Sequence, residues 1–324
     1  MSCTYFGRTR TVFTTWVRPL FWLAMAGIPA AGQVATAPPL DPGLRITVDV
    51  KLVVLSVSVR DKRGAAVPRL EEHNFRVEEN GRPQAIRSFQ AGDSPVAVGL
   101  VVDSSHSMRS KRPEVVAAAA AFARLSNPRD ELFIANFNEK VAFNFPDTKL
   151  LAASPAELAG ALLNPIAIGR TALYDAVAAA LAHIRTSRIE RKVLLVISDG
   201  GDNASRTTRR DLLREVSAAG VEIYTIGLFD EADSEVNPGV LRRIAESSGG
   251  LSFRPNTSDE AIRMCEQIAA DIRAQYVISY SPSNQNFCGE YRAIRLRVST
   301  DRGGKLAART RPGYIAEPSA GRCQ

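Results

Sequence analysis

Short apolar segments that resemble buried strands alternate with helical segments between residues 95 and 274. Strands that are buried on both faces of a parallel sheet are expected to be almost continuously hydrophobic. The segments of this type cover residues 96–102, 131–137, 192–197 and 221–228. Alternating strands and helices indicate a mostly parallel sheet with helices on both faces, so we expect a Rossmann-like α/β domain.

The segments between these strands have the composition and the end signals of helices. We predict helices over residues 113–125, 171–184, 208–219, 238–247 and 257–274. Gly220 follows the third of them, as expected for a residue that ends a helix in the left-handed conformation. Ser154-Pro155-Ala156-Glu157 has the form of a capping box and predicts the start of a further helix.

The two flanks of this region change to a strand pattern with a period of two. Val and Leu occupy alternate positions over residues 53–59, and Ile, Leu and Val alternate with Arg over residues 292–299. Asn80-Gly81 predicts a hairpin, because both central residues of a type I′ turn need positive φ. Each flank holds about three strands, which is marginal for an independent unit. We therefore expect both flanks to build one small β-sandwich-like domain into which the α/β domain is inserted.

The N-terminal residues show the three parts of a secretory signal peptide. Arg8, Arg10 and Arg18 precede a short apolar core at residues 20–26, and small residues follow at 30–32. This order is typical of a cleaved signal, and the core is shorter than the about 20 residues of a spanning helix. We expect export to the periplasm or the extracellular medium with no membrane span after cleavage. An uncleaved anchor is the alternative.

These patterns divide the chain into six predicted parts. They are a signal peptide (1–32), a linker rich in Pro and Ala (33–44), an N-terminal β segment (45–92), the α/β domain (93–275), a C-terminal β segment that completes the β domain (276–316) and a tail (317–324). The oligomeric state is not indicated by any of these patterns.

The charge of the chain argues against nucleic acid as a partner. The formal net charge is +7, and it falls to +4 without the three arginines of the predicted signal peptide. No run of Lys and Arg with interleaved aromatic residues is present. Such a run or stripe is the usual electrostatic signature of nucleic-acid binding, so a slightly basic, solvated surface is the better interpretation.

Export would leave an odd number of cysteines in an oxidising compartment. Cys3 would leave with the signal peptide, and Cys265, Cys288 and Cys323 would remain. An odd number of cysteines in an exported protein allows one disulfide and one free thiol, with Cys265 and Cys288 as the first candidate pair. Three unpaired thiols are the alternative. The spacing fits no zinc motif.

Small oxygen-bearing side chains follow the apolar strands at the points where these strands end. Asp103, Ser105 and Ser107 come after the first strand, Thr171 precedes a helix, and Asp199 comes after the strand at 192–197. Ligands of open α/β sheets bind at the carboxyl ends of the strands. Hard divalent cations prefer oxygen ligands, so these five residues predict a site for Mg²⁺, with Mn²⁺ or Ca²⁺ as alternatives. Each residue alone is equally typical of a turn or a helix cap.

The complete set resembles a known motif. The pattern Asp103-x-Ser105-x-Ser107, then Thr171, then Asp199-Gly200, resembles the metal ion-dependent adhesion site (MIDAS) of von Willebrand factor A domains. This resemblance covers roughly residues 93–275. The flanks, with LVVLSVSVRDKRG before the domain and YVISYSPSN and RPGYIA after it, are similar to exported bacterial "VWFA-related" proteins known chiefly from Acidobacteria.

The resemblance implies a non-enzymatic protein that binds a partner through a metal ion. In the family, the residues matching Ser105, Ser107 and Thr171 ligate the metal directly, and those matching Asp103 and Asp199 ligate it partly through water. The resemblance thus implies an adhesion or scaffold module in which an acidic side chain of a protein partner completes the coordination of the metal.

Two other functions remain as alternatives. A metal-assisted phosphatase could use Asp103 as its nucleophile, but such enzymes usually carry a second Asp two residues later as the general acid, and Ser105 occupies that position. Neither a phosphate-binding loop nor a GxSxG motif is present. A structural protein that binds no metal is the other alternative.

Overall fold

A computed structural model of the chain describes residues 52–143, 162, 169–229, 236–300 and 306–318. The predicted signal peptide, the linker and the helix expected to begin at Ser154 lie outside these described residues, as do residues 319–324 of the predicted tail. Within the described ranges, no helix has the length and apolar character needed to cross a lipid bilayer.

The described chain passes from strands to alternating strands and helices and back to strands. The first strands are β1 (Val53–Arg60), β2 (Phe75–Glu79), β3 (Arg82–Gln84) and β4 (Ile86–Ala91). The central elements are β5 (Ala97–Asp103), α1 (Arg112–Arg124), β6 (Glu131–Phe137), β7 (Val141–Phe143), α2 (Leu173–Ile184), β8 (Lys192–Ser198), α3 (Arg209–Ala219), β9 (Glu222–Gly227), α4 (Pro238–Ser248), β10 (Ser252–Phe253) and α5 (Ser258–Arg273). The last are β11 (Tyr276–Tyr280), β12 (Tyr291–Val298), β13 (Ala307–Arg309) and β14 (Gly313–Ile315).

The central sheet has the predicted Rossmann-like form. Its strand order is β10-β9-β8-β5-β6-β7, and all neighbours are parallel except the edge pair of β6 and β7. All seven residues of β5 are buried, because Val98, Leu100 and Val102 face a core with α1 and α5 while Ala97 and Val101 face a core with α2, α3 and α4. Helices on both faces leave no solvated side, and this explains why the strand carries no polar side chain before Asp103 at its end.

The flanking strands build two further sheets from both sides of the α/β region. One sheet has the order β13-β1-β11-β4 and the other has the order β14-β12-β2-β3. Leu55 of β1 lies opposite Ile278 of β11, and Val77 of β2 lies opposite Leu296 of β12, so strands from before and after the α/β region pair directly. The inward side chains of both sheets share one apolar core, and the predicted sandwich-like arrangement is therefore confirmed.

The predicted hairpin joins β2 and β3. Asn80 has φ of 48° and Gly81 has φ of 79°, so both central residues have the positive φ of a type I′ turn. Glu79 pairs with Arg82 across this turn. The dipeptide Asn-Gly therefore determines the register of this edge of the sandwich.

A buried polar cluster joins the α/β part to the sandwich, and α5 leads into β11 beside it. We call it the junction network, and its members are Ser58, Glu222, Tyr224, Asp271, Gln275 and Arg309. Arg309 Nη2 donates to Asp271 Oδ2 at 2.5 Å, and its Nη1 donates to Glu222 Oε1 at 2.8 Å. Tyr224 Oη and Ser58 Oγ donate to the same carboxylate of Asp271 at 3.0 and 3.2 Å. Residues of β1, β9, α5 and β13 are thus tied together by one guanidinium group.

The predicted pairing of Cys265 with Cys288 in a disulfide is wrong. Cys265 is a free thiol with no exposed surface on the inner face of α5, whereas Cys288 is disulfide-bonded to a different cysteine. Burial raises the pKa of the Cys265 thiol to about 12, so it remains a neutral apolar side chain of the core. Spacing along the sequence could not reveal that Cys265 faces the α/β core while Cys288 belongs to the loop between β11 and β12.

Candidate metal centre

The predicted site lies where the connections of the central sheet diverge. The chain leaves β5 towards β6 on one side of the sheet, and it leaves β8 towards β9 on the other side. Such a switch in direction opens a crevice between the carboxyl ends of two neighbouring strands. Asp103 is the last residue of β5, and Asp199 directly follows β8. Strand topology alone therefore brings the two carboxylates to the same crevice.

Direct hydrogen bonds connect four of the five predicted ligands. Ser107 Oγ donates to Asp199 Oδ2 at 2.5 Å, and the hydroxyl oxygens of Ser105 and Ser107 lie 3.2 Å apart. The backbone N–H of Ser105 donates to Asp103 Oδ1 at 2.9 Å. Ser198 Oγ donates to Asp103 Oδ2 at 2.6 Å, so both oxygens of this carboxylate are engaged. Two carboxylates and two hydroxyls thus form one compact group of oxygen atoms.

Thr171, the fifth predicted ligand, lies on the adjoining loop. This loop contacts the first one, because the backbone N–H of His106 donates to Gly169 O at 3.3 Å. Thr171 is buried, its N–H donates to Asn203 Oδ1 at 2.9 Å, and its carbonyl accepts from the N–H of Asn203. Among the described residues, its hydroxyl makes no hydrogen bond to the other four predicted ligands. The structure therefore places Thr171 beside the group without joining it to the group.

The loop after β8 has a shape that requires glycine. Gly200 has φ of 79°, and a Cβ atom at this position would lie 2.4 Å from the carbonyl oxygen of Asn237. The N–H of Asn237 donates to the carbonyl oxygen of Asp199 at 3.1 Å, which holds the start of α4 against this loop. Asp199 Oδ1 also accepts from the N–H of Gly201 at 2.9 Å. The close approach of these backbones directs the Asp199 carboxylate towards Ser107.

The two carboxylates are buried without a compensating positive charge. Asp103 is 1% exposed and Asp199 is 3% exposed, and neither forms an ion pair with any described residue. Burial raises the pKa of Asp103 to about 6, and the charge of Asp199 acts in the same direction against the hydrogen bonds from Ser105 and Ser198. A buried carboxylate normally needs a paired cation or a metal. The site is therefore electrostatically suited to a bound cation.

The set of donors fits a hard divalent cation. Carboxylate and hydroxyl oxygens are the ligands that Mg²⁺, Mn²⁺ and Ca²⁺ prefer. Within the described ranges, no group of three or more His, Cys, Asp and Glu side chains is arranged to hold a metal. A metal at this edge would therefore depend on serine and threonine hydroxyls as well as on the two carboxylates.

Three supporting residues were not predicted from the sequence. Ser198 links Asp103 to the next loop, because its Oγ also accepts from the N–H of Gly200 at 3.0 Å. Asn203 holds Thr171, and Asn237 holds Asp199, as described above. Ser198 had a detectable signal, since it is the first polar residue after an apolar strand. The roles of the two asparagines depend on contacts across 32 and 38 residues, which no local pattern indicates.

Two further polar residues lie next to the predicted ligands in the chain. His106, between Ser105 and Ser107, is exposed. Asp202 accepts from Ser205 Oγ at 2.5 Å and also from the N–H of Tyr174 at 3.2 Å. It therefore fastens the loop after β8 to the first turn of α2, close to Thr171.

Metal affinity is expected to fall as the pH falls below about 6. Because the pKa of Asp103 is about 6, a cation competes with a proton below that value but meets an ionised carboxylate at pH 7 and above. We expect an apparent dissociation constant for Mn²⁺ about tenfold larger at pH 5 than at pH 7. Calorimetric titration at both pH values measures this ratio. Asp103→Asn has no carboxyl group at this position, so its remaining affinity for Mn²⁺ should be nearly independent of pH. If the affinity of both proteins changed with pH to the same extent, Asp103 would not be the group responsible.

Comparison with known proteins places the α/β part in a family. No curated protein matches the chain. Among solved structures, a von Willebrand factor type A protein from Catenulispora acidiphila is similar, with 15% identity over 82% of this chain and 74% of that chain and a TM-score of 0.49. BatB, a conserved hypothetical protein from Bacteroides thetaiotaomicron, shares 15% identity over 54% of this chain and 98% of its own, with a TM-score of 0.43.

A third similar structure comes from the mussel byssus. It is proximal thread matrix protein 1 with a zinc-occupied MIDAS motif, at 18% identity over 59% of this chain and 49% of that chain and a TM-score of 0.47. All three likenesses are too weak to indicate a shared function. The family model of the von Willebrand factor type A domain, in contrast, matches residues 98–267, which is just over half of the chain and includes all five predicted ligands. The chain therefore belongs to the von Willebrand factor type A domain family.

Proposed function

We propose that this chain is a non-enzymatic, divalent-metal-dependent binding module that attaches to a protein partner outside a bacterial cell, as an adhesion or scaffold protein. The observation that carries the proposal is the pair of buried carboxylates, Asp103 and Asp199, which lack an ion-pair partner among the described residues and lie beside serine hydroxyls. Mg²⁺ is the expected cation, with Mn²⁺ or Ca²⁺ as alternatives.

The residues present suggest how the module would bind. Ser105, Ser107 and Thr171 would hold the cation through neutral hydroxyls, and Asp103 and Asp199 would supply the negative charge nearby. When bound, the cation supplies a Lewis-acidic position that takes a carboxylate of the partner. Asp199 accepts a hydrogen bond from the hydroxyl of Ser107, which leaves the lone pairs of that serine oxygen free to bind a cation. Neutral direct ligands would leave the cation with net positive charge, so it would favour an acidic partner.

Export from the cell rests on two observations. The N-terminal 32 residues have the pattern of a signal peptide. Cys288 is disulfide-bonded, and disulfides persist mainly in the periplasm and in extracellular space. The flanking segments, similar to those of exported bacterial "VWFA-related" proteins, agree with this location.

The burial of Asp103 argues against the phosphatase alternative. A nucleophilic carboxylate must reach the phosphorus atom of a substrate, but Asp103 is 1% exposed and both of its oxygens accept hydrogen bonds from Ser105 and Ser198. Ser105 also replaces the second Asp that such an enzyme would use as its general acid. A binding role needs neither an exposed nucleophile nor a proton donor.

Calorimetric titration with Mn²⁺ tests the proposal. We expect the wild-type protein to bind one Mn²⁺, and Ser105→Ala to bind it about 10- to 100-fold more weakly, the range found when groups that support a metal site are removed. Ser110→Ala is the matched control, because Ser110 is exposed in the same short helix (His106–Lys111) and should keep full affinity. Absence of heat at millimolar Mn²⁺ in the correctly folded wild type would refute the proposal and favour a purely structural protein.

A further inference from the structure

Three exposed arginines lie on the segments that carry the candidate metal centre or on the loop that holds Thr171. Arg109 lies two residues after Ser107, in the short helix His106–Lys111. Arg170 directly precedes Thr171. Arg206 lies in the loop whose residue 203 is hydrogen-bonded to the carbonyl of Thr171. All three belong to connecting segments at the carboxyl edge of the central sheet, and all three are exposed. We call them the rim arginines.

The rim arginines have no partner within the protein as far as the structure describes it. None of their guanidinium groups takes part in an ion pair or a side-chain hydrogen bond with a described residue. Two arginines elsewhere in the described chain behave differently: Arg273 pairs with Asp93 and Asp130, and Arg292 pairs with Glu79 and Glu290. The rim arginines therefore carry exposed positive charge that no ion pair or side-chain hydrogen bond with a described residue engages.

Two carboxylates accept hydrogen bonds from the backbone of the rim arginines. Glu139 accepts from the N–H of Arg170 at 3.0 Å. Asp175 accepts from the N–H of Arg206 at 2.9 Å and from the N–H of Thr207 at 2.8 Å. Burial alone would raise its pKa, but these bonds and the charge of Arg206 lower it. The negative charges thus stabilise the loops, while the guanidinium groups of the same residues remain available at the surface.

We infer that the partner presents an acidic stretch, with further carboxylates beside the one that reaches the metal. This inference rests on the proposed function. A partner with a single carboxylate would leave the three rim arginines unpaired, whereas a run of Asp or Glu would place one charge on the cation and its neighbours on the guanidinium groups. Each exposed pair strengthens binding roughly two- to threefold, so three together give about tenfold, and the gain decreases at high salt. Charge at the rim also speeds association and excludes basic partners.

Two synthetic probes test this inference in the presence of saturating Mn²⁺. One is hexaglutamate, and the other is a Gly/Ser hexapeptide with a single central Glu. We expect the full-length wild-type protein to bind hexaglutamate about tenfold more tightly than the single-Glu peptide at low salt. The variant Arg109→Gln/Arg170→Gln/Arg206→Gln should bind both peptides equally, while its affinity for Mn²⁺ alone stays that of the wild type or increases slightly through the lost repulsion.

The control variant removes the same charge from the sandwich. Arg82, Arg87 and Arg295 are exposed on β3, β4 and β12, and their replacement by Gln should leave the preference for hexaglutamate intact. Equal binding of both peptides by the wild type, or an unchanged preference in the rim variant, would overturn the inference. Binding of hexaglutamate that persists in EDTA would also overturn it and would indicate a general polyanion surface. A wild type that binds no Mn²⁺ would instead refute the proposed function itself.

Discussion

Arg309→Ala is expected to lower the free energy of unfolding by about 3 kcal/mol, because it leaves two buried carboxylates without their shared cation. Glu222 and Asp271 are 6% and 5% exposed, and Arg309 contacts both. Arg60 would still reach Asp271 at 2.7 Å, and Gln275 would still donate to Glu222 at 2.9 Å, so the loss falls at the lower end of the range for a broken buried pair. Urea denaturation followed by circular dichroism measures the change.

The stability lost in Arg309→Ala should decrease as the pH falls. Burial raises the pKa of Glu222, and Arg309 opposes this effect. Without Arg309, ionised Glu222 destabilises the fold at pH 7, and this penalty is relieved as the pH falls and the carboxylate is protonated. The difference between the variant and the wild type should therefore be smaller at pH 5 than at pH 7.

Two companion variants decide whether the buried charges cause the effect. Arg295→Ala removes an exposed arginine of β12 and should change stability by less than about 0.5 kcal/mol. The combination Glu222→Gln/Asp271→Asn/Arg309→Met removes all three charges together and should recover most of the loss. If Arg309→Ala cost less than about 1 kcal/mol, or if the combination were worse than the single change, the junction network would not owe its stability to charge pairing.

Gly200→Ala is expected to weaken Mn²⁺ binding at least tenfold and to lower stability by about 2 kcal/mol. The added Cβ would lie 2.4 Å from the carbonyl oxygen of Asn237, and the backbone already has φ of 79°. The loop would have to move away from α4, and it would carry the Asp199 carboxylate away from Ser107. Calorimetric titration with Mn²⁺ and urea denaturation together measure the two effects.

Gly64→Ala separates backbone strain from displacement of the loop. Gly64 has φ of 81°, close to that of Gly200, but no atom lies within 4 Å of a Cβ built on it. This control should lose about 1 kcal/mol of stability through the left-handed conformation alone and keep the wild-type affinity for Mn²⁺. Wild-type affinity in Gly200→Ala would show that the position of this loop does not matter for the metal.

Local patterns predicted much of the fold. The helix α3 begins after Thr208, whose hydroxyl accepts from the N–H of Asp211, and it ends at Gly220 with φ of 67°, as the cap signals indicated. The turn at Asn80-Gly81 and the alternation in β12 are likewise confirmed. These features depend on conformational preferences of single residues and on periodic burial, so they can be deduced from short stretches of sequence. The predicted domain boundaries, the partner and the location of the protein stay predictions.

Features that depend on contacts between distant segments were not predictable in the same way. The sequence predicted a helix from Thr171, but α2 begins at Leu173, because Asn203 binds both the N–H and the carbonyl of Thr171. The ion pairs of the junction network join residues 87 and 38 positions apart, and nothing near Glu222 or Asp271 indicates Arg309. The candidate site was easier, because parallel strands bring their carboxyl ends to one edge whatever the remaining topology.

The position of the junction network has a mechanical consequence. The candidate metal centre lies at the carboxyl ends of β5 and β8, whereas Glu222 is the first residue of β9 and Arg191, which donates to Gln275, directly precedes β8. A pulling force between a partner on the metal and the sandwich would thus run along the parallel strands. The hydrogen bonds between these strands would be loaded in shear and would have to break together. If the strands were instead peeled apart from one end, the bonds would break one after another. The parallel strands would therefore resist a pulling force applied between the candidate metal centre and the β domain.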